Sequence, residues 1–155
     1  MNVDLHCHTT VSDGTLNPCE LVSLAVERQL DMLAITDHDS IDCYQQIDTS
    51  GHNFSLITGI EFSTTWQNRS VHIVGLNIDL DNQALLQGVL QQTLARDQRA
   101  IKIAERLERL GFKNSLKGAR AFSNGGQIGR PHFAQHLVKI NAVVSIQQAF
   151  NKYLG

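Results

Sequence analysis

The stretch "DLHCHTTVSDG", residues 4–14, decides how this chain is read. Val3, Leu5 and Cys7 alternate with Asp4, His6 and His8, which is the two-residue period of a β-strand. His6 and His8 are two apart, so both rings leave one face of that strand and can meet a single ion. Cys7 points to the opposite face and is expected in the core. Asp13 follows in a glycine-terminated SDG loop, from which a short carboxylate can swing back toward the strand end. An HxH pair alone is a weak signal, because exposed and hydrogen-bonded core histidines are both common.

Working outward, strands and helices alternate. In "TLNPCELVSLAVERQ" (15–29), Asn17 is placed to cap a helix, Pro18 sits at its first position and Glu20 completes a capping box. "DMLAITD" (31–37) is a short apolar run of the buried, parallel-strand type. "DSIDCYQQI" (39–47) reads as a second short helix, and 54–63 and 71–77 as two more strands joined by a turn at 66–69. Residues 82–110 form one long helical pattern with Gly111 as its terminating residue. Shorter helical pieces follow at 116–122, 131–139 and 145–154, and no strand is expected after about residue 78. The alternation argues for an α/β sheet with partly parallel pairing. "NGGQIGRP" (124–131) has the composition of a functional loop, and His52 reads as a solvated turn residue.

Three further stretches raise the case for metal. "ITDHDS" places Asp37, His38 and Asp39 directly after a buried run, where parallel α/β folds bind ligands. "GIEFS" ends a third strand with Glu61, and "VHIVG" sets His72 in the fourth. Ionisable residues so close to buried runs are costly unless paired or coordinated. Imidazoles mixed with carboxylates suit zinc, manganese or iron, and the lack of cysteine clusters argues against a structural zinc site. More than four potential ligands suggest two or more ions. Clustered ions hold a phosphate and lower a bound water's pKa, so the residues point to a hydrolase of phosphate esters.

"DLHCHTTVSDGTLNP", "ITDHDS", "GIEFS", "HIVGL" and "GRPHFAQ" together closely resemble the PHP (polymerase and histidinol phosphatase) superfamily. Within it they look most like the bacterial 3′,5′-nucleotide bisphosphate phosphatase and 5′-3′ exoribonuclease branch, RNase AM. The resemblance implies the N-terminal part of a distorted (β/α)7 barrel (residues 1–80), followed by a mainly helical insertion (81–155) carrying the GRPH motif. It implies up to three divalent ions in the complete protein, manganese first, with zinc or iron as alternatives. His6 and His8 would ligate one ion, with Glu61 bridging to another; Asp13 and His38 would ligate a second; Glu61, His72 and His132 the third. A metal-activated hydroxide would attack phosphorus in line, with no further catalytic side chain. Arg130, beside His132, is the candidate grip on a substrate phosphate, since a guanidinium can bind two oxygens at once. His136, one turn after His132, is read as a supporting or surface residue.

Family members also carry a C-terminal Asp-x-His motif, and no histidine follows His136 here. The expectation is therefore an N-terminal part of a longer protein in which only the third site has all its motif ligands. The function implied is a phosphoesterase acting on 3′,5′-bisphosphonucleotides or the 5′ ends of short RNA. The alternatives are a phosphatase of a non-nucleotide monoester resembling histidinol phosphate, and an inactive metal-binding fragment. Composition adds exclusions. A net charge of -2 points to no general nucleic-acid or membrane surface and leaves room for a local basic patch. The first residues lack a signal peptide, no run is long enough to span a bilayer, and Cys7, Cys19 and Cys43 form neither a CxxC nor an even disulfide set. A cytoplasmic setting, a nucleotide or RNA substrate and no stable protein partner are expected.

Overall fold

The computed structural model describes residues 1–48, 53–123 and 125–155, so His52 and Asn124 lie outside the described residues. The chain divides into two compact units, Met1–Thr93 and Leu94–Gly155.

The first unit is a four-stranded sheet in the order β1-β2-β3-β4. Its strands are β1 (Val3–Cys7), β2 (Met32–Ile35), β3 (Ser55–Trp66) and β4 (Arg69–Leu76). The first three are parallel, with β2 pairing both neighbours, and β4 returns antiparallel to β3. Helix α1 (Pro18–Glu27) makes the crossover from β1 to β2. It starts where the sequence predicts: the Asn17 side chain accepts from the Glu20 backbone N–H while the Glu20 carboxylate accepts from that of Asn17, and Pro18 fills the first position. Val22 and Ala25 turn inward; Ala25 joins Val11, Leu33, Ile35 and Cys43 in the core of this unit.

Two local departures from expectation have physical causes. The helix expected over 39–47 is only a 3₁₀ turn at Asp42–Gln45. Cys43 is fully buried beneath it, and the Tyr44 hydroxyl donates to Ile35 O (2.6 Å) and accepts from the Gly59 backbone N–H (2.6 Å). Tyr44 thus fastens the turn to β2 and β3, which leaves no room to propagate an α-helix. β3 runs three residues past its expected end, because Gln67 and Asn68 take left-handed conformations (φ 48° and 62°) and close a two-residue hairpin. That geometry extends the pairing out to Trp66↔Arg69.

A long helix α2 (Gln83–Arg109) begins in the first unit and ends in the second, where Gly111 (φ 95°) terminates it. The second unit continues with α3 (Ser115–Arg120), α4 (Arg130–Lys139), α5 (Ile146–Ala149) and a π-helical turn at Phe150–Leu154. Ala100, Ala104, Leu107, Phe133, Leu137 and Leu154 are among the residues of its separate apolar core. Among the described residues, no strand follows β4 and no helix is long and apolar enough to cross a membrane.

Candidate metal centre

The carboxyl ends of β1 and β2, with the middle of β3 and β4, bring six titratable side chains together. Glu61 is their hub and is nearly buried, at 7% exposure. His6 Nε2 and His8 Nε2 lie 3.1 and 3.0 Å from its Oε2, and His38 Nδ1 lies 3.4 Å from the same oxygen. His72 Nδ1 meets the other oxygen, Oε1, at 2.9 Å. Asp13 stands beside this set, 3.4 Å from His8 Nδ1 and 3.8 Å from His38 Nε2.

Backbone register explains the convergence. His6 is on β1 and His8 just beyond it, with ring centroids 5.3 Å apart. His38 follows β2 and pairs with Glu61 as an isolated parallel bridge. His72 sits opposite Ser63 on β4, which makes it the diagonal cross-strand neighbour of Glu61. The loop holding Asp13 is pinned at its base by Asp37, which is fully buried. Asp37 accepts from the Thr9 backbone N–H (2.7 Å), the Thr9 hydroxyl (2.6 Å) and the Ser12 hydroxyl (2.6 Å). Gly14 closes the loop, donating to Thr9 O; a Cβ there would lie 2.2 Å from His8 O, so no other residue fits. Asp39 adopts a left-handed conformation (φ 52°) and accepts from the Ser63 backbone N–H at 2.6 Å, holding the segment after β2 against β3.

This scaffold also surrounds His8 with acceptors. Ser12 donates its only hydroxyl proton to Asp37, so toward His8 Nδ1, 3.4 Å away, it can only accept. Asp13 offers a second acceptor to the same nitrogen. His8 Nε2 faces the Glu61 carboxylate at 3.0 Å. His6 Nε2 lies 3.2 Å from His8 Nε2, so two imidazole nitrogens and a carboxylate oxygen share one small space. Such a set requires protons or a cation between its members, and the donors are those that divalent ions of the zinc–manganese type prefer. Three groups have ligand atoms close enough to share an ion: His6, His8 and Glu61; His8, Asp13 and His38; and His38, Glu61 and His72. Burial pushes the Glu61 pKa up, but His38, hydrogen bonds from His72 and His6, and then His8 outweigh it. The net effect holds the carboxyl below its ordinary value, ionised and ready to ligate.

Cys7 faces away from the cluster. Its thiol donates to Ala34 O (3.2 Å), and burial, with Asp4 and Asp37 nearby, pushes its pKa up to about 12, so it stays protonated. His132 and Arg130 belong to the second unit. His132 is buried in the first turn of α4, where its Nδ1 accepts from the Gly129 backbone N–H at 3.0 Å. Arg130 is exposed, with its guanidinium 5.9 Å from the centroid of the Phe150 ring. His136, read as a supporting or surface residue, is buried against Gly118. The supporting roles of Thr9, Ser12 and Asp37 went unread in the sequence. The available signal was two hydroxyl residues just after HxH and an aspartate ending a buried strand.

Comparison with known proteins bears on the family. The PHP domain family matches residues 4–151. The chain is 46% identical over 156 residues to the 5'-3' exoribonuclease Rnm of Escherichia coli (strain K12), covering 98% of this chain and 53% of that protein. It is 37% identical over 156 residues to the 3',5'-nucleoside bisphosphate phosphatase of Chromobacterium violaceum, covering 99% and 55%. An amidohydrolase structure from Chromobacterium violaceum superposes with a TM-score of 0.92 at 35% identity, over 100% of this chain and 56% of that one. The chain thus spans about half the length of the curated relatives it matches. Its fold is a mixed α/β arrangement matching part of the PHP barrel, and with residues 4–151 of its 155 under that one description, the chain belongs to the PHP domain family.

Proposed function

We propose that this chain carries metal ligands of a phosphoesterase acting on nucleotide phosphates, either 3′,5′-bisphosphonucleotides or the 5′ ends of short RNA. One observation carries the reading: four imidazoles converge on the single buried carboxylate of Glu61, with Asp13 beside them. The exoribonuclease and bisphosphate phosphatase relatives supply the substrate class.

His6, His8, Asp13, His38, Glu61 and His72 would hold divalent ions, with manganese the first candidate, and His132 is proposed as a further ligand of the same system. Bound ions would supply positive charge for a substrate phosphate and lower the pKa of a water that attacks phosphorus. The chain's own part is to keep the donors deprotonated and fixed. Asp37, through Ser12, presents an acceptor to His8 Nδ1, and the charge of Glu61 is stabilised by its histidine neighbours. Arg130, exposed at the start of α4, is proposed to take a phosphate oxygen pair.

The test is to incubate the protein with manganese and three substrates: a 3′,5′-bisphosphonucleotide, a 5′-phosphorylated oligoribonucleotide and histidinol phosphate. Release of phosphate or nucleotide from either of the first two, lost in His8→Ala, is the expected result. Turnover of the third substrate alone, or of none, would overturn the reading.

A further inference from the structure

The near-neutral total charge conceals a strong segregation. Of thirteen Lys and Arg residues, eleven lie in the unit Leu94–Gly155, against only three of the fifteen Asp and Glu. That unit therefore carries a net charge of +8 with histidines neutral, and Met1–Thr93 carries −10. No Asp or Glu occurs after Glu108, while Arg109, Lys113, Lys117, Arg120, Arg130, Lys139 and Lys152 all do. All seven are exposed.

On α2 the charge is ordered further. Arg99, Lys102, Arg106 and Arg109 are exposed and, at 100° per residue, fall within an arc of about 80°. The acids Asp97, Glu105 and Glu108 lie outside that arc. At a rise of about 1.5 Å per residue the basic stripe is about 15 Å long, which matches about four phosphates of a stacked single strand at about 3.4 Å each. The apolar face of this part of α2 (Ala100, Ile103, Ala104 and Leu107) is packed into the unit's own core. It is therefore not free to enter a lipid surface, as the apolar face of a membrane-lying basic helix must be.

We propose that the exposed basic surface of the helical unit, with the α2 stripe at its centre, binds the phosphodiester backbone of single-stranded RNA through charge. This rests on the phosphoesterase reading for its biological sense, but the binding itself is independent of metal. The opposite signs of the two units also account for how a chain of net charge -2 can hold a polyanion: the cations are concentrated in one unit instead of being spread over the chain.

Binding of 3′-fluorescein oligoribonucleotides of two and twelve nucleotides to the whole chain, measured by anisotropy in EDTA over a salt series, tests this. The longer strand is expected to bind more tightly. The triple variant Lys102→Gln, Arg109→Gln, Lys117→Gln should lower the slope of log affinity against log salt by about 2, from about 0.7 per phosphate contact. Its circular dichroism melt and its manganese binding should not change. Equal affinity for both lengths, an unchanged slope in the variant, or phosphatidylserine vesicles bound without length-dependent RNA binding would overturn the proposal. Length-dependent binding by a chain that hydrolyses no phosphoester would refute the proposed function and leave this inference standing.

Discussion

Glu61 is the residue on which the centre turns. Among the described residues its carboxylate is the one group within reach of His6, His8, His38 and His72 together, so removing its charge affects two of the three ligand groups. Glu61→Gln is expected to weaken manganese binding at least about 100-fold, beyond the roughly 10–100-fold typical of residues that merely orient ligands. Isothermal titration checks this, and wild-type affinity in the variant would remove Glu61 from the centre. A second residue-scale effect lies in the helical unit. Burial, aided by Lys139, lowers the His136 pKa, so the folded chain resists a proton that the unfolded chain accepts near about pH 6.5. Stability should then fall as pH drops from about 6.5 toward the lower folded value, and this contribution should be constant below it. Urea denaturation at two pH values on either side of 6.5 measures the difference, which His136→Gln should shrink; the same difference in the variant would assign it to other groups.

At the scale of elements, the loop between β1 and α1 is held by a buried carboxylate as well as by Val11 in the apolar core. Asp37→Ala would leave the Thr9 N–H and the Thr9 and Ser12 hydroxyls without their buried acceptor. At about 1–3 kcal/mol for each unsatisfied group, a loss of several kcal/mol is expected in denaturant titration. Asp37→Asn should recover part of that stability, because its amide oxygen can still accept from the Thr9 N–H and the Ser12 hydroxyl and only the Thr9 hydroxyl contact changes. Much at this scale was legible in sequence. The capping box at Asn17, the HxH strand and the long helix closed by Gly111 all depend on residues close in the chain. What escaped was an unannounced turn conformation and a non-local contact. The length of β3 is set by a hairpin whose left-handed residues are Gln67 and Asn68, not the Asn-Gly pair that usually announces one. The 3₁₀ turn at Asp42–Gln45 is cut short by Tyr44 reaching two strands away.

For the whole molecule, family and fold were legible because the motifs are short, local and ordered along the chain, and PHP domain membership follows over residues 4–151. The meeting of Glu61 with His6, fifty-five residues away, is set by strand order, which spacing alone does not encode. A sum over the chain, by contrast, cannot show that its two units have opposite signs. Because neutral imidazoles supply most of the donors, manganese affinity should fall as pH drops through the histidine range near about 6.5. Affinity constant to about pH 4.5, well below that range, would contradict histidine ligation.

The central claim, that these converging side chains form a divalent-metal centre, is tested most directly by titrating manganese into the metal-stripped chain and into His8→Ala, Glu61→Gln. Saturable binding by the wild type that the double variant loses while keeping its circular dichroism spectrum is the predicted result; equal binding by both, or none by either, would contradict it.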